Sequence, residues 1–268
     1  MASILNNIGS LQAKRNLGLS ERGLNKTIAR LSTGLRINEA SDDAAGLQIS
    51  NNLRADIRIL NQARRNANDA NAQIAIADGV LEEAVQLLSR AAELAEQAAS
   101  GTTSDAGRIA IDQEYTEIKE ALNALDSDTR FDTRQVFGVT VSVRVGELSS
   151  EIITMTTEAI NSTALSLSGT MTSVLSASSQ LANIATAIET ISAQRGSLGA
   201  KSQRLNTVIN SVGITSENLQ SAESQIRDAD VATEVVNLTK FQILNQTGVS
   251  ALSQANQSSQ SVLSLLQG

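Results

Sequence analysis

The chain of 268 residues contains no histidine, cysteine, proline or tryptophan, and only one tyrosine and three phenylalanines. Without cysteine it can form neither a disulfide bond nor a thiolate site. Without histidine it can assemble neither a histidine-based catalytic triad nor a zinc site of the usual ligands. We therefore expect no metal and no cofactor, and we expect that the protein is not an enzyme.

The scarcity of proline and aromatic residues favours one class of fold. Proline interrupts helices, and aromatic side chains favour strands and fill compact cores, so a chain poor in both should form long helices. No apolar run approaches the roughly 18 residues that a membrane-spanning helix needs, so we expect no membrane insertion. A net charge of −7 with so few stacking side chains argues against nucleic acid as a partner.

Two apolar seams indicate helices that pack along other helices. Near the start, Leu17, Leu24 and Leu31 recur every seven residues, with Ile28 and Leu35 between them. Between 184 and 226 all seven d positions of a heptad pattern are apolar, but only three of the seven a positions are. A one-sided seam of this length is typical of a helical bundle. The sequence predicts a mainly α fold, a long antiparallel helical bundle or coiled coil.

The middle of the chain and the first helix break have their own signals. Residues 139–146 read VTVSVRVG and alternate apolar with polar side chains, and EIITMTT follows, which predicts one β-hairpin near 139–157. Gly34 weakens the first helix. Ser41 is the expected N-cap of the next helix, with Asp42 and Asp43 in its first turn.

The two chain ends offer little apolar surface for the length of backbone that they must order. One pair of helices can bury only one stripe on each, which does not offset the conformational entropy that folding removes. Neighbouring copies would have to cover the remaining faces, so the ends predict self-assembly. The expected polymerisation core consists of large aliphatic side chains from both ends: Leu17, Leu24, Ile28, Leu31, Leu35, Val235, Leu238, Val249, Leu252, Val262, Leu263 and Leu266.

Several segments resemble the bacterial flagellins. RLSTGLRINEASDDAAGLQIS at 30–50 resembles the RLSSGLRIN and DDAAG signature of that family, and ARRNANDANAQIAIADGVLEEAVQLLSRAAELAEQA resembles its long N-terminal helix. SLGAKSQRLNTVINSV, ENLQSAESQIRDADVATEVVNLTKFQIL and ANQSSQSVLSLLQG resemble its C-terminal blocks. The likeness covers roughly residues 1–137 and 178–268, and it implies a structural subunit that self-assembles into the flagellar filament for motility.

The resemblance also implies a division into layers. Residues 1–44 and 225–268 would form an inner coiled-coil domain at the filament core, and residues 45–224 a helical rod domain that carries the hairpin. Gly34, Asn38, Ser41 and Asp42 would connect the two layers. The short middle and the absence of histidine imply that the outer domains of longer flagellins are missing.

Partners and location follow from the same resemblance. The chain would form a homopolymer of many identical subunits, and the family implies a flagellar export chaperone, cap proteins and junction proteins. Export through the flagellar type III apparatus would place it in the flagellum, secreted to the exterior or held under a sheath. Residues 89–97 resemble the segment recognised by Toll-like receptor 5, and the candidate contacts are Arg90, Glu93, Leu94, Gln97 and Glu114.

Two other functions fit part of the pattern. A hook–filament junction protein shares the terminal motifs but is usually longer and matches both signatures less well. A non-flagellar coiled-coil adaptor would explain the heptads. It would not explain why residues 241–268 contain no charged side chain.

Overall fold

The structure is a computed structural model that describes residues 7–148 and 150–267, with backbone alone for 259–267. Helices dominate the described residues, and the strands form two short antiparallel pairs, which confirms the predicted mainly α fold. The elements in chain order are α1 (Ile8–Thr33), α2 (Ala44–Ala99), α3 (Asp105–Asp128), β1 (Arg130–Phe131), β2 (Arg134–Gln135), β3 (Val139–Arg144), β4 (Ile152–Thr157), α4 (Val174–Arg227) and α5 (Val231–Gln267).

The internal contacts divide the chain into two units. Met1–Ala55 and Asn218–Gly268 form the terminal unit, and Asp56–Glu217 forms the central unit. The layer boundaries expected for an assembled filament, after residue 44 and before residue 225, stay a prediction about the polymer.

The central unit has a continuous apolar core. In α4 the first five predicted d positions are buried, whereas Leu219 and Ile226 are only half-buried. Helix α2 contributes leucines together with many alanines, whose small side chains let neighbouring helices approach closely. The core side chains of α2 and α4 include Leu81, Ala84, Leu88, Ala91, Leu94, Ala95, Ile184, Ile191, Leu198, Leu205 and Val212.

Two hairpins lie in the central unit. The predicted hairpin is present, with β3 and β4 antiparallel in a register that runs from Val139 opposite Thr157 to Arg144 opposite Ile152. The second, β1–β2, was not predicted. Its two turn residues, Asp132 and Thr133, both have positive φ, as the tightest hairpin turns require.

Residues 158–173 form neither helix nor strand, and α3 holds them in place; we call them the strap. Asp126 accepts a hydrogen bond from the backbone N–H of Ile160 at 2.8 Å, and Asp112 accepts one from the N–H of Met171 at 2.7 Å. The phenol of Tyr115 donates to a strap carbonyl at 3.2 Å. Burial of this ring raises the pKa of Tyr115 to about 12. Polar side chains of α3 therefore hold the strap against the core by hydrogen bonds to its backbone.

Helix α2 begins later than the sequence predicts. The carboxylate of Asp43 accepts from the N–H of Gly46 at 2.9 Å, so Asp43 is the N-cap and the helix starts at Ala44. The prediction that Ser41 caps this helix was wrong. Its hydroxyl donates instead to the Glu39 side chain at 3.2 Å, within a turn that precedes the helix.

Candidate functional site

Helices α1 and α5 lie antiparallel along one another in the terminal unit. At one end the Asn7 side-chain amide donates to the carbonyl of Ala255 at 2.9 Å. At the other end Arg30 forms an ion pair with Glu234 at 3.2 Å. Because these contacts keep one register from end to end, α1 is paired with α5 over its whole length.

Two glycines allow the helices of this pair to pack closely. A Cβ atom at Gly23 would overlap the ring of Phe241, and one at Gly248 would lie 3.2 Å from a Cδ atom of Leu17. Each helix therefore leaves room for a large side chain of the other. The pair meets along one well-fitted stripe.

Apart from that stripe, the terminal unit has almost no buried apolar surface. Among its described residues Ile37 is the one hydrophobic residue that is fully buried, whereas the central unit contains the rest of the buried core. Among the described side chains of α1 and α5 the buried ones are polar: Thr27 and Glu234. The helix pair is therefore not stabilised by a core of its own.

The outward faces of the two helices carry apolar side chains instead. Ten large aliphatic residues of α1 and α5 are between 41% and 65% exposed, which is more apolar surface than a helix pair in water normally leaves open. We call this set the exposed apolar surface. It comprises Ile8, Leu11, Leu19, Ile28, Val231, Val235, Val236, Ile243, Leu244 and Val249.

The residues expected to form the polymerisation core fall into three groups. Half-buried in the helix pair or next to it are Leu17, Leu24, Leu31, Leu35, Leu238 and Leu252. Exposed are Ile28, Val235 and Val249. The side chains of Val262, Leu263 and Leu266 lie outside the described residues. Heptad spacing finds the inward seam, but it misses outward residues such as Leu11, Leu19, Val236 and Ile243 that lie off that register.

The expected connector is fixed to the start of α5. Gly34 ends α1 in a left-handed conformation, with φ of 72°, and its carbonyl accepts from the N–H of Ala229 at 2.9 Å. Two residues on, the N–H of Arg36 donates to the carbonyl of Arg227 at 2.6 Å. The connector therefore joins the α4–α5 junction through backbone bonds, which no side-chain pattern in the sequence could reveal.

Asp42 organises the second half of the connector. Its carboxylate lies 2.5 Å from the ammonium of Lys26 and accepts from the backbone N–H groups of Asn38 and Glu39 at 3.1 and 3.3 Å. The Lys26 contact, together with these N–H donors, lowers the pKa of Asp42 to about 2. Only 6% of the Asp42 side chain is exposed. This carboxylate thus ties α1 to the turn before α2.

The candidate receptor contacts form a small ionic cluster on α2 and α3. Arg90 lies 3.0 Å from Glu93 and 2.8 Å from Glu114, and these two contacts raise the pKa of Arg90, with Glu114 the larger cause. Gln97 is exposed nearby on α2. Leu94 is separated from this group because it is 2% exposed and belongs to the core of the central unit.

The partly buried ion pair between Arg30 and Glu234 has no signal in the sequence. Arg30 and Glu234 are 204 residues apart, so no local spacing signals their contact. The second carboxylate oxygen of Glu234 and the Nε of Arg30 are buried without a hydrogen-bond partner in the described residues. This ion pair helps to hold α1 and α5 in register, because few apolar side chains pack at that end of the helix pair.

The part of the chain that the structure describes contains no group of three or more acidic, histidine or cysteine side chains that could hold a metal ion. None of its helices has both the length and the hydropathy to cross a membrane.

Family models match both halves of the chain. The bacterial flagellin N-terminal helical region matches residues 4–142, and the bacterial flagellin C-terminal helical region matches residues 181–266. The N-terminal match includes α1, α2, α3 and the connector, and the C-terminal match includes most of α4 and α5.

Named relatives are similar along nearly their whole length. The chain is 37% identical to a flagellin of Halalkalibacterium halodurans and 35% identical to the flagellar filament 30.7 kDa core protein of Treponema maltophilum. Each alignment covers 98% of this chain and 99% of the relative. The crystal structure of Bacillus cereus flagellin has a similar fold, with a TM-score of 0.50 at 23% identity over 55% of this chain and 88% of that one.

Proposed function

The chain belongs to the bacterial flagellin family and is a structural subunit of the flagellar filament, and on that premise we propose that α1 and α5 are the surface through which identical copies assemble. The observation that carries this proposal is the exposed apolar surface on a helix pair without a core. Covering the exposed half of one such side chain contributes about 1 kcal/mol, so the ten together supply about 10 kcal/mol. That is comparable with the cost of losing free rotation and translation on association.

We propose further that the chain contributes to two layers of the filament. Residues 1–44 and 225–268 would form an inner coiled coil, and residues 45–224 the layer around it. The lack of charge in residues 241–268 supports an inner position. Glutamine and serine side chains would keep the wall of a central channel hydrated without binding charged chains that pass through it. The backbone bonds of the connector support a defined path between the layers.

The filament subunit is favoured over the two rivals. The relatives are described as flagellins and flagellar filament core proteins, and they match from end to end at similar length. A coiled-coil adaptor would not account for family matches at both chain ends. Residues 129–173, between α3 and α4, are taken up by the two hairpins and the strap, which supports a short form without outer domains.

The finer parts of the function are also proposals. We expect export through the flagellar apparatus and a place outside the cell envelope or under a sheath, and we expect contacts with an export chaperone, cap proteins and junction proteins. The exposed apolar surface supports the expectation of a chaperone, because a partner would have to cover this surface before the subunit assembles. We also expect no catalysis, because the chain lacks the histidine and cysteine side chains on which most nucleophilic and zinc sites depend.

Replacing two exposed apolar residues of α5 tests the assembly surface. The double variant Val236→Asn with Ile243→Asn should raise the critical concentration for filament growth at least about 100-fold, because two apolar contacts are lost and two amides are buried. Growth from sonicated seeds would be followed by light scattering and electron microscopy. The matched control is Gln242→Asn with Gln246→Asn on the same helix, which should assemble normally. Normal filaments from the Val236 and Ile243 variant would contradict the proposal.

Asp42 should make filament stability depend on acid pH. Its pKa of about 2 in the folded chain lies below the value of about 3.9 in an unfolded one. The ionised carboxylate therefore stabilises the terminal unit above about pH 4, and this contribution is lost as the pH falls from about 4 to about 2. Turbidity of preformed filaments should fall less steeply over that range for Asp42→Asn than for the unchanged protein. The control Glu21→Gln, which removes an exposed carboxylate of the same terminal unit, should follow the unchanged curve. Parallel curves for Asp42→Asn and the unchanged protein would refute this role.

We also propose that the ionic cluster of Arg90, Glu93 and Glu114, with Gln97, is available to Toll-like receptor 5 on a free subunit. Leu94 is left out because reaching it would require opening the core. In reporter cells that express the receptor, Arg90→Ala with Glu114→Ala should lower the potency of the monomer about tenfold or more. Arg64→Ala with Glu120→Ala removes the same charges from exposed sites on the same helices and should have little effect. No signal from the unchanged monomer would remove the proposal.

A further inference from the structure

The face of α1 that points away from α5 carries apolar and basic side chains together. Successive residues of an α-helix are about 100° apart, so six exposed positions fall within an arc of about 80°. The buried Thr27, about 120° from the middle of this arc, marks the side of the helix that faces α5. We call these six positions the outer stripe: Ile8, Leu11, Arg15, Leu19, Arg22 and Lys26.

Helix α1 has an excess of positive charge that ion pairs within the chain balance only in part. Between Ile8 and Thr33 it contains five basic residues and one acidic residue, a net charge of +4. Lys26 is paired with Asp42, and Arg30 with Glu234. Arg15 and Arg22 form no ion pair with any described residue, and Arg22 only donates to a carbonyl of its own helix at 3.1 Å.

The opposite charge lies at one end of the same unit. Residues 34–43 and 223–230 contain six acidic and two basic residues, a net charge of −4. We call these two segments the acidic end, and backbone bonds between the connector and the α4–α5 junction hold them together. The side chains of Glu39, Asp228 and Asp230 are exposed there. Val231, next to them, is 58% exposed and adds an apolar contact.

Within one copy Lys26, at one end of the stripe, contacts the acidic end through Asp42, but Arg15 cannot reach it. Arg15 lies 18 residues before the end of α1, which is about 27 Å of helix, and the acidic end begins only after that helix has ended. We propose that the acidic end of each subunit packs on the outer stripe of another subunit. This rests on the proposed function, and it deepens it by naming the charged contact that sets the order of the copies.

A second copy fits better than other occupants of the stripe. The charges that remain for a second copy are opposite in sign: Arg15 and Arg22 form no ion pair with any described residue, and the carboxylates of Glu39, Asp228 and Asp230 are exposed. Val231 can cover Leu11 or Leu19 while these carboxylates meet the two arginines. A contact between two different surfaces of identical chains generates an open helical assembly whenever the rotation between copies does not close a ring. An anionic membrane would satisfy the arginines but would repel the acidic end.

Charge reversal with mixing tests this contact. One variant carries Arg15→Glu and Arg22→Glu, and a second carries Glu39→Lys and Asp228→Lys. Each alone should have a critical concentration at least about tenfold above that of the unchanged protein, because attraction becomes repulsion at every contact. An equal mixture of the two variants should grow from seeds within about threefold of the unchanged protein, since each then meets its complement. The chain that carries all four substitutions should behave like the mixture.

Neighbouring residues provide the matched control. Lys14→Glu makes the same charge change as Arg15→Glu, but Lys14 lies about 100° from the middle of the outer stripe. Lys14→Glu should therefore affect growth much less than Arg15→Glu. Circular dichroism of each variant checks that the central unit keeps its helical content.

The outcomes separate this inference from the proposed function. If the unchanged protein forms no filaments from seeds, the proposed function fails. If it forms filaments but the mixture grows no better than either variant, or both variants grow normally alone, the charged contact is refuted. Binding of the unchanged protein to vesicles of anionic phospholipid through Arg15 and Arg22, with no rescue on mixing, would assign the stripe to a lipid surface and overturn the inference.

Discussion

The terminal helix pair depends on one constraint: two helices can bury only one stripe against each other. In α1 and α5 that stripe is closely packed, with Gly23 against Phe241 and Arg30 paired with Glu234, yet no large apolar side chain of either helix is fully buried in the described residues. The order of these two helices, about a quarter of the chain, therefore depends on what covers their outward faces. Under the proposed function identical copies cover them, and folding of the chain ends and polymerisation are then one process.

The central unit, in contrast, has an apolar core of its own. Helices α2, α3 and α4 enclose leucine, isoleucine and alanine side chains, the hairpins add a covering layer, and the strap is fastened by Asp112, Tyr115 and Asp126. Such a unit can be folded before assembly begins. Under the proposed function this division lets the central unit hold its fold while the terminal unit waits for neighbouring copies.

Much of the fold can be predicted from the sequence, because helices and strands that bury one side produce periodic apolar patterns. The seam of α4 places Ile184 to Val212 in the core, and strict alternation reveals the β3–β4 hairpin. Long-range polar contacts leave no such record. The Arg30–Glu234 pair, the strap and the backbone bonds of the connector all join residues that are distant in sequence. The N-cap of α2 was misplaced because serine and two aspartates stand in a row, and only the geometry shows which of them the helix uses.

Amide hydrogen exchange, compared between free subunit and filament, tests the dependence of the chain ends on neighbours most directly. In the free subunit the account predicts strong protection in the buried parts of α2, α3 and α4 and little protection in α1 and α5. In the filament all five helices should be protected. Strong protection of α1 and α5 in the free subunit would contradict the account, because it would mean that the helix pair is stable without the copies that are supposed to complete it.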